Sequence, residues 1–170
     1  MSPSSLPAAW HLAQLNIGRT LAPLDSPQLA EFMSQLDAIN ALAEAAPGFV
    51  WRLAGDSNNA TDVKVEGYPD LVINLSVWTS AETLFDFVYR TAHTKVMARR
   101  REWFERIEVF QTLFWIPAGH TPTAAEALAR LELLRARGPS ADAFTFKQRF
   151  PPPGDLGPPI NMRPEPYCVA

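Results

Sequence analysis

The stretch LVINLSVW, residues 71–78, decides how this chain is read. Eight residues rich in β-branched and apolar side chains, between turn formers and a helix-capping Thr79-Ser80, form a strand. Side chains alternate across a strand, so Leu71, Ile73, Leu75 and Val77 make one greasy face. Val72, Asn74, Ser76 and Trp78 make the other. Asn74 and Ser76 are poor core residues unless they are hydrogen-bonded or line a pocket.

Outward from this strand the pattern is regular. Residues 10–17, WHLAQLNI, form a first strand, with Gln14 and Asn16 on the face opposite His11, Ala13, Leu15 and Ile17. Ser26-Pro27 starts a helix running to about Ala46, with Ser26 as N-cap, and Pro47-Gly48 stops it. Residues 49–53 form the second strand. A turn-rich loop follows at 55–69, with a short extended piece at 62–66. Helical periodicity runs from about 81 to 107, with a bend expected near Thr91–Thr94. Residues 109–116 form the fourth strand. Thr123 and Glu126 make a capping box for another helix, which ends near Gly138-Pro139, and 143–147 add a short fifth strand. The order β-α-β-β-α-β is that of an α+β, ferredoxin-like fold, here with an added C-terminal helix and short strand. Helices cover one sheet face, and a second subunit is expected to cover the other, making a homodimer. Residues 8–150 form this single domain. Residues 151–170 form a proline-rich tail, and residues 1–7 a loose end.

Composition excludes several functions. The chain has 170 residues, 47% of them hydrophobic, with a net charge of −3. The basic footprint of a nucleic-acid binder is missing. No apolar run reaches membrane-spanning length, and MSPSSLPAAW lacks the cationic and apolar regions of a secretory leader. Cys168 is the only cysteine, which rules out an intrachain disulfide and points to a reducing, cytoplasmic setting. His11, His93 and His120 lack metal-ligand spacing, so no metal site is expected. There is no phosphate-binding glycine loop, dinucleotide fingerprint or nucleophile elbow.

The segment HTKVMARRREWF, residues 93–104, holds the charged candidates. On a helical wheel started at His93, Met97, Arg100 and Phe104 fall within about 40° of it. Arg99 lies on the far side, near Glu102, and Arg101 on a polar flank, near Glu105. Arg100 therefore points inward. It either forms a buried salt bridge or faces an anionic ligand. Asn74 and Ser76 share their sheet face with Gln14 and Asn16. Trp51 or Arg52 joins from the second strand and Gln111 or Trp115 from the fourth, according to register. Tyr89, Trp103 and His120 complete the candidates for a pocket that takes a small organic molecule. The competing reading of the amides is a polar network at a dimer contact.

Five segments carry a family resemblance: HLAQLNIGR (11–19), INALAEAAPGFVWRL (39–53), NLSVWTSAETLFDFVYRTAH (74–93), RRREWF (99–104) and the run from LFWIPAGHTPT to AFTF (113–146). Together they resemble the bacterial DUF3291 family, which is similar to dimeric α/β-barrel proteins of the antibiotic-biosynthesis monooxygenase type. The resemblance implies a dimeric barrel. Cofactor-independent quinone-forming enzymes of that type pair an asparagine and a tryptophan four residues apart on the third strand with a later arginine. Asn74, Trp78 and Arg100 match those places. The implied activity is oxidation of an aromatic or polycyclic substrate without a tightly bound organic cofactor. Asn74 and Trp78 would orient the substrate, Arg100 would stabilise an enolate or phenolate, and His93 would exchange protons. Haem-degrading relatives imply an alternative in which His93 is an axial ligand near Asn16 and Trp78. A third reading is a non-catalytic ligand-binding or scaffold dimer.

Overall fold

The computed structural model describes residues 9–68 and 70–161. The expected loose end at 1–7, and the tail beyond Asn161 with Cys168, lie outside the described residues. The chain forms β1 (Trp10–Arg19), α1 (Ala30–Ala45), β2 (Phe49–Arg52), β3 (Leu71–Trp78), α2 (Ala81–Arg90), α3 (His93–Ala98), β4 (Gln111–Pro117), α4 (Ala124–Arg137), β5 (Gln148–Arg149) and β6 (Ile160–Asn161). The main sheet has the order β2-β3-β1-β4 with every neighbour antiparallel, which is the ferredoxin-like arrangement. β5 and β6 form a separate ribbon in the proline-rich region.

Alternation places the core as the sequence suggests. Ala13, Leu15, Ile17, Leu71, Ile73, Leu75 and Val77 are all buried on one face. Their cover comes from within the chain: Ala127, Leu128 and Leu131 of α4 pack directly on them. The expectation that a second subunit must cover this face therefore fails on its premise. A barrel dimer through this face would have to displace α4. The opposite face carries the amides and Trp78 and lies under α1 and α2.

Three local expectations change, and the bend expected near Thr91–Thr94 becomes a break. Ser26 does not cap a helix. Residues 23–30 form successive turns, Ser26 Oγ is buried without a partner, and α1 begins at Ala30. What anchors this corner is Leu29, fully buried with Phe32, Trp103 and Phe104.

The long helix at 81–107 breaks into α2, α3 and a 3-10 turn at Arg100–Glu102. Thr91 Oγ1 donates to the Phe87 carbonyl at 2.6 Å, and Thr94 Oγ1 to the Val88 carbonyl at 3.1 Å. These hydroxyls satisfy the carbonyls at the end of α2, and Thr91 itself is extended.

The fifth strand is also displaced. Phe144 makes only an isolated bridge to Leu113, and regular pairing starts at Gln148. Thr123 does cap α4, accepting from Glu126 N at 3.1 Å, but the Glu126 carboxylate closes on His120 rather than back on Thr123.

Candidate functional site

α1 is 16 residues long, yet only Phe32 and Ala43 in it are buried. Among the sheet strands it packs mainly on β2. Between its inner side and the rest of the sheet lies a cavity of about 130 Å³. The floor is the polar face of β1, β3 and β4, and the roof is Phe32, Leu36 and Ile39 of α1. Trp103 and Phe104 line one side, and Asn59, Ala60 and Thr61 of the loop after β2 line another. His93, Val96, Met97 and Arg100 come from α3 and the turn after it.

Asn74, Trp78, His93 and Arg100 thus line one cavity, together with Gln14, Asn16, Arg52, Ser76, Trp103 and Gln111. Trp51, Tyr89, Trp115 and His120 do not. Trp51 packs on the greasy face. Tyr89 packs on Phe85 and Phe146. Trp115 donates to the Phe150 carbonyl at 2.9 Å. His120 is exposed and paired with Glu126 at 2.9 Å.

The polar groups differ in how they are engaged. Trp78 is 1% exposed, held between Phe49 and Phe87. Its indole N–H donates to Ser76 Oγ at 3.0 Å, and Ser76 Oγ donates to Gln14 Oε1 at 3.2 Å. That donor is spent inside the protein, so Trp78 is a wall and not a substrate-orienting hydrogen bonder. Arg52 is equally engaged: Nε with Glu44 at 2.7 Å, and Nη1 and Nη2 with the backbone and side-chain oxygens of Asn58 at 2.9 and 3.2 Å. It ties α1 to the loop that walls the cavity.

Arg100 is the exception. Its Nη2 donates to the Ile17 carbonyl, and its guanidinium lies 5.0 Å from the Phe104 ring centre and 4.2 Å from that of Phe110. Among the described residues no carboxylate comes within salt-bridge distance of Arg100. Arg99, next to it, holds Glu102 at 2.7 Å and also Glu31. Burial pulls the Arg100 pKa down to about 10, so it stays charged at neutral pH.

His93 lies 5.1 Å from Phe87, ring centre to ring centre, and its Nδ1 is buried without a hydrogen-bond partner. Burial pushes its pKa down to about 4, against a smaller opposing effect of the Val88 backbone, so it is neutral at pH 7.

Gly18 sets the cavity's end. A Cβ there would overlap the Phe104 ring at Cδ1, so only glycine admits the ring. The α1 residues Phe32, Gln35, Leu36, Ile39 and Asn40, and the loop residues Asn59 and Thr61, were not among the expected site residues. Gln35 and Asn40 flank the apolar stripe of α1, but polar flanks are common to any helix lying on a sheet, so the sequence does not single these residues out.

Among the described residues no group of His, Cys, Asp and Glu side chains is arranged to hold a metal, and no helix is long and apolar enough to cross a membrane.

Several solved structures share parts of this architecture. SnoaB, a cofactor-independent oxygenase from Streptomyces nogalater, is 15% identical, with 65% of this chain and 95% of SnoaB covered at a TM-score of 0.44. A conserved protein from Methanosarcina mazei Go1 is 11% identical, covering 64% and 93% at a TM-score of 0.45. A putative antibiotic biosynthesis monooxygenase from Chloroflexus aurantiacus J-10-fl is 14% identical, covering 66% and 97% at a TM-score of 0.37. At these identities and TM-scores no activity carries over to this chain. No curated protein matches the sequence. The family defined by the Domain of unknown function DUF3291 matches residues 11–157, nearly the whole described chain, and the protein belongs to that family.

Proposed function

We propose that the cavity between α1 and the sheet binds a small aromatic or polycyclic molecule, and that Arg100 holds an oxygen of it that is, or becomes, anionic. One observation carries this reading: a largely buried guanidinium without a carboxylate partner lines a cavity with an aromatic and aliphatic roof. Arginine has five N–H donors, and Arg100 spends one on the protein. A buried cation without a counter-charge is costly, and an anionic ligand offsets that cost.

The chemistry that suits this site is that of a monooxygenase-like enzyme working without a tightly bound organic cofactor. Loss of a proton from an electron-rich phenol or enol leaves an anion that Arg100 stabilises. Such an anion is oxidised by dioxygen: a ring methylene becomes a carbonyl, and one O2 is consumed for each water released. Neutral His93 offers a hydrogen-bonding ring on the cavity wall, too weakly basic to hold the substrate's proton, which leaves to solvent at the exposed edge, where Asn74 orients the ring.

A haem with His93 as axial ligand is not favoured. The observation that carries the reading, a cation at Arg100 without a carboxylate partner, asks for an anionic oxygen and not for an iron ligand.

The test is air oxidation of dithranol, followed by absorbance and an oxygen electrode, with the wild type and Arg100→Met. Turnover above buffer that Arg100→Met loses supports the reading. A wild-type rate equal to that of Arg100→Met overturns the enzymatic part. Failure of any aromatic anion to bind overturns the binding part as well.

A further inference from the structure

The cavity floor carries two polar rows in different states. In one, Gln14, Ser76 and Trp78 are joined by hydrogen bonds, and Arg52, opposite Ser76, is spent on Glu44 and Asn58. The other row lies two residues away on the same face. There Asn16 stands opposite Asn74 on β3 and opposite Gln111 on β4. All three carboxamides line the cavity. None of the three makes a side-chain hydrogen bond among the described residues. Neighbouring strands lie about 4.8 Å apart, so the row is about 10 Å long.

Arg100 fixes the polarity of this row. It donates to the carbonyl of Ile17, which follows Asn16, and lies over the ring of Phe110, which precedes Gln111. The charge therefore sits at the Gln111 end. Asn74 is at the other end and exposed, so that end is the mouth. Carboxamides both donate and accept, which suits hydroxyl or carbonyl oxygens and gives no second charge. Across the cavity, Phe32, Leu36 and Ile39 offer apolar surface, with the uncharged Gln35 and Asn40 beside them.

Resting on the reading that Arg100 holds an anion, we propose that Gln111, Asn16 and Asn74 form a specificity row for a rigid hydroxyaryl carboxylate. It enters charge first. The carboxylate is held at Arg100 and Gln111 in the place of an oxidisable phenolate, so such an acid is a bound ligand of the cavity and not the molecule oxidised there, and its neutral hydroxyl is read by Asn74 at the mouth. The two ends are read by different residues, so they are separable by experiment.

Para-coumarate, cinnamate and methyl para-coumarate are suitable probes, titrated by calorimetry into the full chain. Para-coumarate is expected to bind about tenfold tighter than cinnamate, the value of one well-made hydrogen bond. The uncharged ester is expected to bind weakest. Asn74→Leu should remove the advantage of para-coumarate over cinnamate, whereas Gln111→Leu should weaken both and keep their ratio. Cinnamate binding that needs Arg100, with no gain from the hydroxyl in the wild type, overturns the row and leaves the reading beneath it standing. An Asn74→Leu variant that weakens both acids equally also overturns the row. If neither acid binds, the row and the anion site fail together. The comparison of the three probes on the wild type does not depend on any variant folding.

Discussion

Arg99 and Arg100 are consecutive residues with opposite surroundings: Arg99 holds the carboxylates of Glu31 and Glu102, and Arg100 holds a backbone carbonyl between two phenylalanine rings. The difference separates stability from binding at two adjacent positions. Arg100→Met keeps an apolar stem among Phe104 and Phe110 and removes an uncompensated charge. Replacing a whole buried ion pair by apolar side chains is often neutral or stabilising by about 1–4 kcal/mol, and Arg100 likewise leaves no carboxylate stranded, only the Ile17 carbonyl without its donor. Arg100→Met should therefore hold or raise the unfolding midpoint in urea while abolishing binding of para-coumarate. Arg99→Met should lower the unfolding free energy by about 1 kcal/mol or less, as for exposed pairs, and leave binding largely intact. A large loss of stability at Arg100 would show that the charge is compensated after all.

His93 gives the protein an acid-sensitive step. Its folded pKa, about 4, lies below the ordinary histidine value of about 6.5. Between those values the unfolded chain binds a proton that the folded one refuses, so stability rises with pH across this window. A shift of this size corresponds to about 3 kcal/mol, fully present above pH 6.5 and lost on going down to pH 4. Urea unfolding of the wild type and His93→Phe at half-unit pH steps checks this. The variant should lack this component of the slope, and parallel curves would mean that His93 is not the group responsible.

Gly18→Ala tests the end wall. The added methyl meets the Phe104 ring, a side chain that packs with Phe32 and beneath Arg100. Overpacking of this kind costs about 1–3 kcal/mol. The Phe104 ring should shift and para-coumarate should bind less tightly. A double variant, Gly18→Ala with Phe104→Leu, should recover part of the stability but not the binding.

Leu131→Ala tests how the second sheet face is covered. Leu131 is fully buried between α4 and the sheet. Its truncation should cost about 2–5 kcal/mol. If α4 is the cover in solution, the loss is independent of protein concentration and light scattering gives no sheet-to-sheet dimer. A wild-type unfolding midpoint that rises with concentration would restore the barrel dimer expected from the family resemblance.

The sequence made β1 and β3 readable to the face, because a two-residue period leaves no freedom once a strand is recognised. That Gln14, Asn16, Asn74 and Ser76 share a face follows from it; the register that sets Asn16 opposite Asn74 and Gln14 opposite Ser76 is seen only in the structure. The inward turn of Arg100 was also readable, although the wheel assumed a continuous helix that Thr91 and Thr94 interrupt. The choice between Trp51 and Arg52 was not. A register shift between Phe49 and Trp51 lets Phe49 and Arg52, three residues apart, both line the cavity. The roof was hidden for a different reason. The stripe Phe32, Leu36, Ile39 has the same spacing whether a helix meets a sheet or stands away from it. Nor did the spacing of α4 say which sheet face it would cover.

α1 is fastened at its two ends, by Glu31 to Arg99 and by Glu44 to Arg52, with open space under its middle. A helix so mounted has little buried apolar surface to hold its backbone amides closed. Its protons should exchange with solvent well before those of β1 and β3, and faster as salt weakens the two ion pairs. A molecule that fills the space lends the helix the contacts it lacks. Slowed exchange at Leu36, Ile39 and Asn40 would then report occupancy directly, so α1 would serve as a built-in indicator for compounds of unknown identity in a cell extract.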